Sequence, residues 1–215
     1  MQIEEINFTS EKYPKKLREI YNPPKKIYAL GNVEILHNIG IAIVGARNAT
    51  EYGKKVVLKL SEDLSKRKIV IISGLAKGID SYAHIGALNV QNGKTIAVLG
   101  SGIKEIYPKE NIELARQIIK KGGCIISEYL PNEKPNKINF PKRNRIISGL
   151  SKGVLVVEAS EKSGALITAD FALEQGREVF AVPGSIYSTT SVGTNKLIQQ
   201  GAKLVMCFED ILSEI

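Results

Sequence analysis

One aromatic ring and a group of cations lie together between Phe140 and Arg145, where the chain reads Phe-Pro-Lys-Arg-Asn-Arg. No acidic residue occurs from Lys134 to Lys152. Arginine binds phosphate through two parallel hydrogen bonds, and an aromatic ring can stack on a base. A basic run is more often a solvated surface, but cations combined with an aromatic ring favour a polyanionic ligand.

Glycine-rich segments that could bind phosphate follow several apolar runs. They are Gly45–Asn48, Ser73–Gly78 and Gly100–Gly102, and the pair Ser163-Gly164 opens a later helix. Glycine lets the backbone approach a phosphate closely, and amide and hydroxyl groups can donate to it. Any one of these segments alone would be ordinary turn chemistry, and none completes a dinucleotide or P-loop motif. Together they predict one rim lined with phosphate donors.

Residues that could support catalysis are few. Asp80 and His84 are four residues apart, but no nucleophile is placed beside them, so we favour a pair that stabilises a helix and fixes the preceding loop. Glu158 is a single carboxylate that more often caps a helix or positions a loop than acts as a base. Cys124 and Cys207 lack metal-ligand spacing. We therefore predict a protein that is not an enzyme and has no cofactor or metal.

Apolar β-branched runs alternate with amphipathic stretches, which predicts a parallel sheet covered on both faces. The expected fold is α/β, an extended Rossmann-like, doubly wound, mostly parallel sheet with helices on both faces. The predicted strands are 41–44, 69–72, 95–99, 124–127, 154–157, 179–182 and 203–206, and the predicted helices are 52–67, 79–89, 109–121, 142–150, 165–175 and 195–200. In such a sheet, ligands bind outside the carboxyl ends of the strands, where the glycine-rich segments lie.

Length and charge limit the possible partners. The chain has 215 residues, a formal net charge of +8 and a pI near 9.3, which favours anionic partners such as nucleic acid or nucleotides. No apolar run approaches the roughly 18 residues that span a bilayer, and the first residues lack a signal-peptide pattern. We expect a cytoplasmic protein without membrane contact.

The residues before the first predicted strand differ in composition. Tyr13-Pro14 and Pro23-Pro24 interrupt them, and Gly31-Asn32 follows. We predict that residues 1–37 form a short arm with one or two elements packed on the main domain, and that residues 38–215 form the Rossmann-like domain.

Many ordered motifs in this chain resemble the DNA-processing protein A (DprA/Smf) family. The resemblance extends roughly from residue 13 to residue 208. The motifs are Ile41–Arg47, Ser73–Asp80, Thr95–Gly102, Ile106–Pro108, Ser127–Tyr129, Phe140–Ser151, Val156–Ala159, Ser163–Ala169, Gly176–Gly184 and Gly193–Asn195.

The resemblance implies a protein that binds single-stranded DNA, forms a homodimer and helps to load the RecA recombinase during natural transformation. It also implies a DNA pocket that holds phosphates and a base, formed by Arg47, Ser73, Gly74, Ala76, Lys77, Gly78, Gly100, Lys137, Phe140, Arg143, Asn144, Arg145, Ser163 and Gly164. Leu197 and Ile198 match the family's dimer surface, although packing in the core explains them equally well.

Relatives often carry a helical module before the Rossmann-like domain and a winged-helix module after it. We expect neither in this sequence, so partner contacts attributed to those modules are not carried over. One alternative function is a Rossmann-like protein that binds or hydrolyses nucleotides. Another is a scaffold that binds only proteins.

Overall fold

The computed structural model describes residues 2–215 and contains a nine-stranded sheet. Its strands are β1 (Glu4–Asn7), β2 (Lys26–Gly31), β3 (Gly40–Val44), β4 (Val70–Ser73), β5 (Thr95–Leu99), β6 (Cys124–Ser127), β7 (Gly153–Val156), β8 (Glu178–Ala181) and β9 (Lys203–Leu204). The order across the sheet is β1-β2-β6-β5-β4-β3-β7-β8-β9. Strands β3 to β9 are parallel, whereas β2 is antiparallel to β6 and β1 to β2. The predicted α/β fold class is confirmed.

Eight α-helices connect or flank these strands within residues 2–215. They are α1 (Lys15–Arg18), α2 (Glu51–Lys66), α3 (Ile79–Asn89), α4 (Ile112–Lys120), α5 (Asn139–Leu150), α6 (Gly164–Glu174), α7 (Val192–Gln199) and α8 (Glu209–Leu212). Two 3₁₀ turns, Val33–His37 and Lys109–Asn111, accompany them. In the described part of the chain, none of these helices combines the length and apolarity needed to cross a bilayer.

Alternate residues of each central strand pack on opposite faces of the sheet, as the β pleat requires. In β3, Ala42 and Val44 face the cluster that includes α5 and α6, whereas Ile41 and Ile43 face α2 and α3. All four side chains are buried. Because both faces of the sheet are covered, side chains on both sides of each central strand are mainly apolar. These strands therefore read as continuous apolar runs, without the alternation of polar and apolar residues that a one-sided sheet would show.

Residues 2–37 extend the sheet and support α5. Tyr13 is fully buried, and its hydroxyl donates to the Pro24 carbonyl at 2.8 Å. Leu17 and Ile20 pack so closely on Gly149 of α5 that a Cβ there would come within 3.1 Å of each side chain. Neither β1 nor β2 is among the strands predicted from the sequence. Glu4–Asn7 offers little apolar signal, because only one of its four side chains is buried.

Strand β3 lies between β4 and β7, and the direction in which successive strands are added to the sheet reverses there. The chain first adds β4, β5 and β6 on one side, and then crosses through α5 to place β7 on the other. Loops that leave such a central strand diverge, and a crevice opens at its carboxyl end. The fold therefore places a cleft after Val44.

Candidate nucleic-acid interface

A cleft of about 630 Å³ opens at the carboxyl end of β3. The loop after β3 forms one side, and the first turns of α5 and α6 form the other. Eight of the predicted DNA-binding residues line it, namely Arg47, Ala76, Lys137, Phe140, Arg143, Asn144, Ser163 and Gly164. The structure therefore brings together the basic segment and most of the strand-end segments.

Two cations at the rim of the cleft are available to a ligand. Arg47 and Lys137 are both exposed. Among residues 2–215, neither forms an ion pair with a carboxylate. Their charges can therefore neutralise phosphates without first breaking an internal contact.

Two aromatic rings lie at the mouth of the cleft. The Phe140 and Tyr107 ring centroids are 5.6 Å apart, with an angle of 44° between the ring planes. Phe140 packs on Gly100, where a Cβ would come within 2.7 Å of its Cδ1. Tyr107 is 46% exposed and lines the cleft. Tyr107 is not among the predicted DNA-binding residues, although the motif Ile106–Pro108 that contains it lies in the loop after β5.

Helix α5 directs the predicted arginine pair to opposite sides. Successive helical residues turn by about 100°, so Arg143 and Arg145 point about 200° apart. Arg145 donates to both carboxylate oxygens of Glu128, at 2.9 and 2.6 Å, and to the Asn22 carbonyl at 3.1 Å. It does not line the cleft. The prediction that Arg145 belongs to this pocket is therefore wrong.

Arg143 forms the floor of the cleft and is only 5% exposed. Its Nη1 donates to the carbonyls of Gly74, at 2.8 Å, and of Val98. It thereby ties the ends of β4 and β5 together. Burial lowers the pKa of Arg143 to about 10, partly offset by the nearby Asp80 charge, so the group stays protonated at neutral pH. Nη1 of Arg143 therefore serves the backbone. Among residues 2–215, Nη2 forms no hydrogen bond, and the predicted phosphate contact of Arg143 stays a prediction.

The Ser73–Gly78 segment is mainly structural. The buried Ser73 hydroxyl donates to the Ile43 carbonyl at 2.6 Å, and the Gly74 amide donates to Asp80 Oδ2 at 3.1 Å. Gly78 has φ +74° and lies against backbone carbonyls of the loop after β3. Internal partners occupy the Ser73 hydroxyl and the Gly74 amide, so the predicted phosphate contacts of these two residues are wrong. The contact predicted for Gly78 stays a prediction.

Two other predicted residues have different surroundings. Lys77 is exposed and pairs with Glu110 on the surface, outside the cleft lining. Such exposed pairs contribute about 0–1 kcal/mol, so this one can open easily. Gly100 supports the Phe140 ring and does not itself line the cleft. The structure supports an indirect role for Gly100, through the Phe140 ring that packs on it, in place of the predicted DNA contact.

The predicted pairing of Asp80 with His84 is wrong. His84 Nδ1 lies 2.7 Å from Thr95 Oγ1, and Asp80 instead holds the Gly74 amide. Burial raises the pKa of Asp80, an effect that the Arg143 cation opposes. Burial also lowers the pKa of His84 to about 3, so its ring is neutral at physiological pH. The part of the hypothesis in which Asp80 fixes the preceding loop is confirmed.

Glu158 holds the start of α2. Its buried carboxylate accepts from the Thr50 amide at 3.0 Å, from the Thr50 hydroxyl, and from Thr190 at 3.4 Å. Thr50 in turn caps α2 by accepting from the Gly53 amide. These contacts confirm that Glu158 positions a loop, and they leave it no substrate-facing oxygen for the alternative role of a base.

The amino end of α6 faces the cleft. Ser163 caps this helix by accepting from the Ala165 amide at 3.3 Å, and Asn144 donates to the Gly164 carbonyl at 3.3 Å. A Cβ on Gly164 would meet no atom within 4 Å, so the space in front of the helix is open. Helix amino ends attract anions. Ser160, which the sequence analysis missed, also lines this side.

The predicted dimer residues lie in or against the core. Leu197 is 7% exposed and belongs to the main hydrophobic cluster, and the half-buried Ile198 packs against it. For Leu197, the alternative interpretation of core packing is therefore correct.

The cleft thus combines exposed cations, two aromatic rings and a helix amino end. Within the described part of the chain, its only lining carboxylate, Asp80, is buried and hydrogen-bonded. Among residues 2–215, no group of three histidine, cysteine or acidic side chains is arranged to hold a metal ion. This arrangement is suited to binding an anionic, base-bearing ligand.

Sequence comparisons identify close relatives along almost the whole chain. The family described as DNA recombination-mediator protein A matches residues 4–215. The DNA processing protein DprA of Bacillus subtilis is 49% identical over 99% of this chain and 71% of its own length. The protein Smf of Escherichia coli is 48% identical over 96% of this chain and 55% of its own length.

Solved structures agree with this assignment. DprA from Streptococcus pneumoniae superposes with a TM-score of 0.93 at 45% identity, over 100% of this chain and 75% of that one. DprA from Helicobacter pylori, whose structure is described in terms of its single-stranded DNA binding mode, gives 0.88 at 31% identity, over 99% and 95%. A molybdenum cofactor binding protein from Rippkaea orientalis, at 17% identity and 0.56, shares only the fold. The chain belongs to the DNA recombination-mediator protein A family.

Proposed function

We propose that the cleft binds single-stranded DNA with little sequence preference. The observation that supports this most strongly is the placement of Arg47 and Lys137, without acidic partners among residues 2–215, in the same cleft as the Phe140 and Tyr107 rings. Cations track the phosphate backbone, and aromatic faces accept any base. The single-stranded DNA binding mode described for the Helicobacter pylori relative supports the same ligand.

A flexible single strand suits this cleft better than a duplex. Bases must leave the stack before they can reach Phe140 or Tyr107, and in a single strand they are already free to do so. Stacking contributes about 1–3 kcal/mol per base, largely independent of sequence. The strand would place a base at the aromatic rings and adjacent phosphates at the rim cations and the amino end of α6.

Fluorescence anisotropy with labelled oligonucleotides at several salt concentrations tests this proposal. Each phosphate neutralised should add roughly 0.7 to the slope of log affinity against log salt. Lys120 lies at the end of α4, just before the amino end of β6 and so away from the cleft, and Lys120→Ala is a matched charge control. A salt-independent affinity, or an equal loss in the Lys120 control and in Arg47→Ala, would contradict the electrostatic basis.

The finer proposal is that the bound strand is handed to the RecA recombinase, in the cytoplasm, during recombination or natural transformation. The family's description as a recombination mediator supports this role. The test measures RecA filament growth on single strands coated with a competing single-strand binding protein. Acceleration by the wild type, but not by Arg47→Ala, is expected. If RecA filaments grow at the same rate with and without the protein, only the DNA-binding part of the proposal remains.

We also expect a homodimer, with its surface near the β9 edge of the sheet. Leu204 and Met206 are 37% and 77% exposed there. An exposed strand edge with apolar neighbours favours pairing with another chain. Sedimentation equilibrium should show a dimer that Met206→Glu weakens, whereas Leu173→Glu, which alters an exposed apolar residue on α6, should leave it intact. A monomeric wild type would contradict this expectation.

The proposed role needs no chemical step, and we expect no turnover of DNA or nucleotides. The nucleotide-binding alternative makes a different prediction. It requires strong thermal stabilisation by a mononucleotide without oligonucleotide binding. A purely protein-binding scaffold requires neither, so thermal shift and anisotropy together separate the three possibilities.

A further inference from the structure

A second cavity of about 640 Å³ lies on the other side of α5 and has no part in the site described above. The arm segment Tyr21–Lys25 forms one wall, and side chains of α5 and α6 form another. The Arg145–Glu128 ion pair, whose side chains are 11% and 16% exposed, lies in it. The charge of Arg145 is therefore neutralised by a partner, and the ligand chemistry of this cavity depends on its other side chains.

Helix α5 separates the two cavities. Phe140 and Asn144 line the first cleft, whereas Asn139, Lys142 and Arg145 line the second cavity. An α-helix with its side chains is about 10–12 Å wide, so the two cavities are separated by roughly one helix diameter. Helix α6 is shared in the same way, with its first turns at the cleft and its last turn at the second cavity. A ligand chain that leaves the cleft over α5 would therefore have to cross only about one helix diameter to reach the second cavity.

The second cavity repeats the chemistry of the cleft. Tyr21 is 92% exposed, and half-buried Tyr129 and Phe171 line the wall. Lys25 and Lys142 are exposed, and among residues 2–215 neither forms an ion pair. Aromatic faces beside lysines are the combination by which proteins hold single-stranded nucleic acid. Two acids, Glu128 and Glu174, also line the cavity, and Glu128 is paired with Arg145.

The path between the two cavities is basic. Lys142 lies on the first turns of α5, beside Pro141, which is exposed and lines the cleft. The acid-free segment from Lys134 to Lys152 covers this whole crossing. A peptide ligand would gain little electrostatic binding energy along such a path, because a peptide carries no regularly spaced negative charge. A DNA strand presents a phosphate at every step and gains from it throughout.

We propose that a DNA strand bound in the cleft continues over the amino end of α5 and places a further base against Tyr21 in the second cavity, with Lys142 contacting a phosphate at the crossing. This inference rests on the proposed single-stranded DNA function and extends the site beyond the cleft. It predicts that affinity rises a second time when the oligonucleotide becomes long enough to reach both cavities.

The test measures the affinity of oligothymidylates of increasing length for the wild type, Tyr21→Ala and Tyr21→Phe. Tyr21→Ala should weaken binding of the long strands by about 5-fold or more, because a stacked base is lost, and should leave binding of the shortest strands unchanged. Tyr21→Phe keeps the aromatic face and should bind like the wild type. Lys142→Ala should lower the salt slope by roughly 0.7 for long strands only.

Photocrosslinking provides an independent measurement. A strand that carries one 5-iodouracil at successive positions should crosslink to Tyr21 or Tyr129 only from positions beyond those that crosslink to Phe140 or Tyr107. Crosslinks confined to the cleft would overturn the proposal.

The outcomes separate the two levels of inference. If no strand of any length binds the wild type, the proposed function fails. If Arg47→Ala weakens binding but Tyr21→Ala leaves long strands at wild-type affinity, the cleft stands and the second site is overturned. If Tyr21→Ala weakens short and long strands equally, the effect comes from the cleft or the fold, and the second site is again overturned.

Discussion

The floor and the rim of the cleft use the same type of residue for opposite purposes. At the floor, Arg143 is buried and donates to the carbonyls of two strand ends. At the rim, Arg47 is exposed, and within residues 2–215 it forms no ion pair. A buried guanidinium must have its donors satisfied inside the protein, whereas an exposed one keeps them for a ligand. The position of an arginine on its element, and not its type, therefore decides whether its donors serve the fold or stay available to a ligand.

The largest expected effect comes from breaking the floor. Arg143→Met should lower the free energy of unfolding by about 3 kcal/mol or more, because two carbonyls lose their donor and the Asp80 charge loses its nearby cation. Chemical denaturation measures this change. The matched rim variant Arg47→Met should change stability by no more than about 0.5 kcal/mol. Equal stability losses in the two variants would remove the distinction between floor and rim.

The next effect is the response to acid of His84, which is buried outside the cleft lining. The pKa of His84 is lowered to about 3 in the folded protein from an ordinary value of 6.5, so the unfolded chain binds more protons between these pH values. This group therefore contributes stability that is present above pH 6.5 and is lost as pH falls towards 3. The slope for one proton is about 1.4 kcal/mol per pH unit.

Denaturation of wild type and His84→Asn at several pH values isolates this contribution. The variant should show a shallower decrease in stability between pH 6.5 and pH 3. Asp80 acts in the opposite direction, because its pKa is raised in the folded state and its contribution decreases as pH rises. Both proteins retain Asp80, so it cancels in the difference. Parallel pH profiles would show that His84 is not the group responsible.

Removing the Phe140 ring should have a smaller effect. It should change the affinity for DNA but not the dependence of that affinity on salt. Phe140→Ala should weaken oligonucleotide binding by about 1–3 kcal/mol and leave the salt slope unchanged, because a stacked base is lost while all cations remain. Anisotropy gives both quantities from one set of titrations. Unchanged affinity would mean that Phe140 only packs on Gly100 and that Tyr107 alone provides the stacking face.

The smallest effect should come from a single rim cation. Arg47→Ala should lower the salt slope by roughly 0.7, in keeping with the loss of one phosphate contact. Lys77→Ala, which removes a cation already paired with Glu110 outside the cleft lining, should change the slope much less. A larger slope change in the Lys77 variant would move the DNA path from the cleft to the outer surface of that loop.

The fold was largely predictable because its parallel strands are buried on both faces. Runs such as Thr95–Leu99 and Cys124–Ser127 are mostly apolar and rich in β-branched residues, and the structure confirms both bounds. Helix α3 likewise has its predicted limits, Ile79–Asn89. Strand β1 was missed because its sequence, Glu4–Asn7, begins with two acids and buries one side chain. Strand β2 was missed although Ile27–Leu30 is an apolar run, because the prolines and lysines before it indicate a loop.

The candidate site was predictable by region but not by side chain. Strand ends and the basic segment do meet, because parallel strands end at one edge of the sheet. The errors at Ser73, Gly74 and Arg145 share a cause. Sequence shows that a donor is near the rim, but only the structure shows whether a carbonyl or a carboxylate already holds it.

The contacts between the arm and α5 have a consequence for cooperativity. Leu17 and Ile20 pack on this helix, and Asn22 accepts from Arg145, so the wall of the cleft is held partly by residues far from it in sequence. The arm and the main sheet should therefore exchange their buried amide hydrogens together, as one cooperative unit. Loosening the arm would let α5 shift, and the protein could then lose DNA affinity through a change that touches no residue of the cleft.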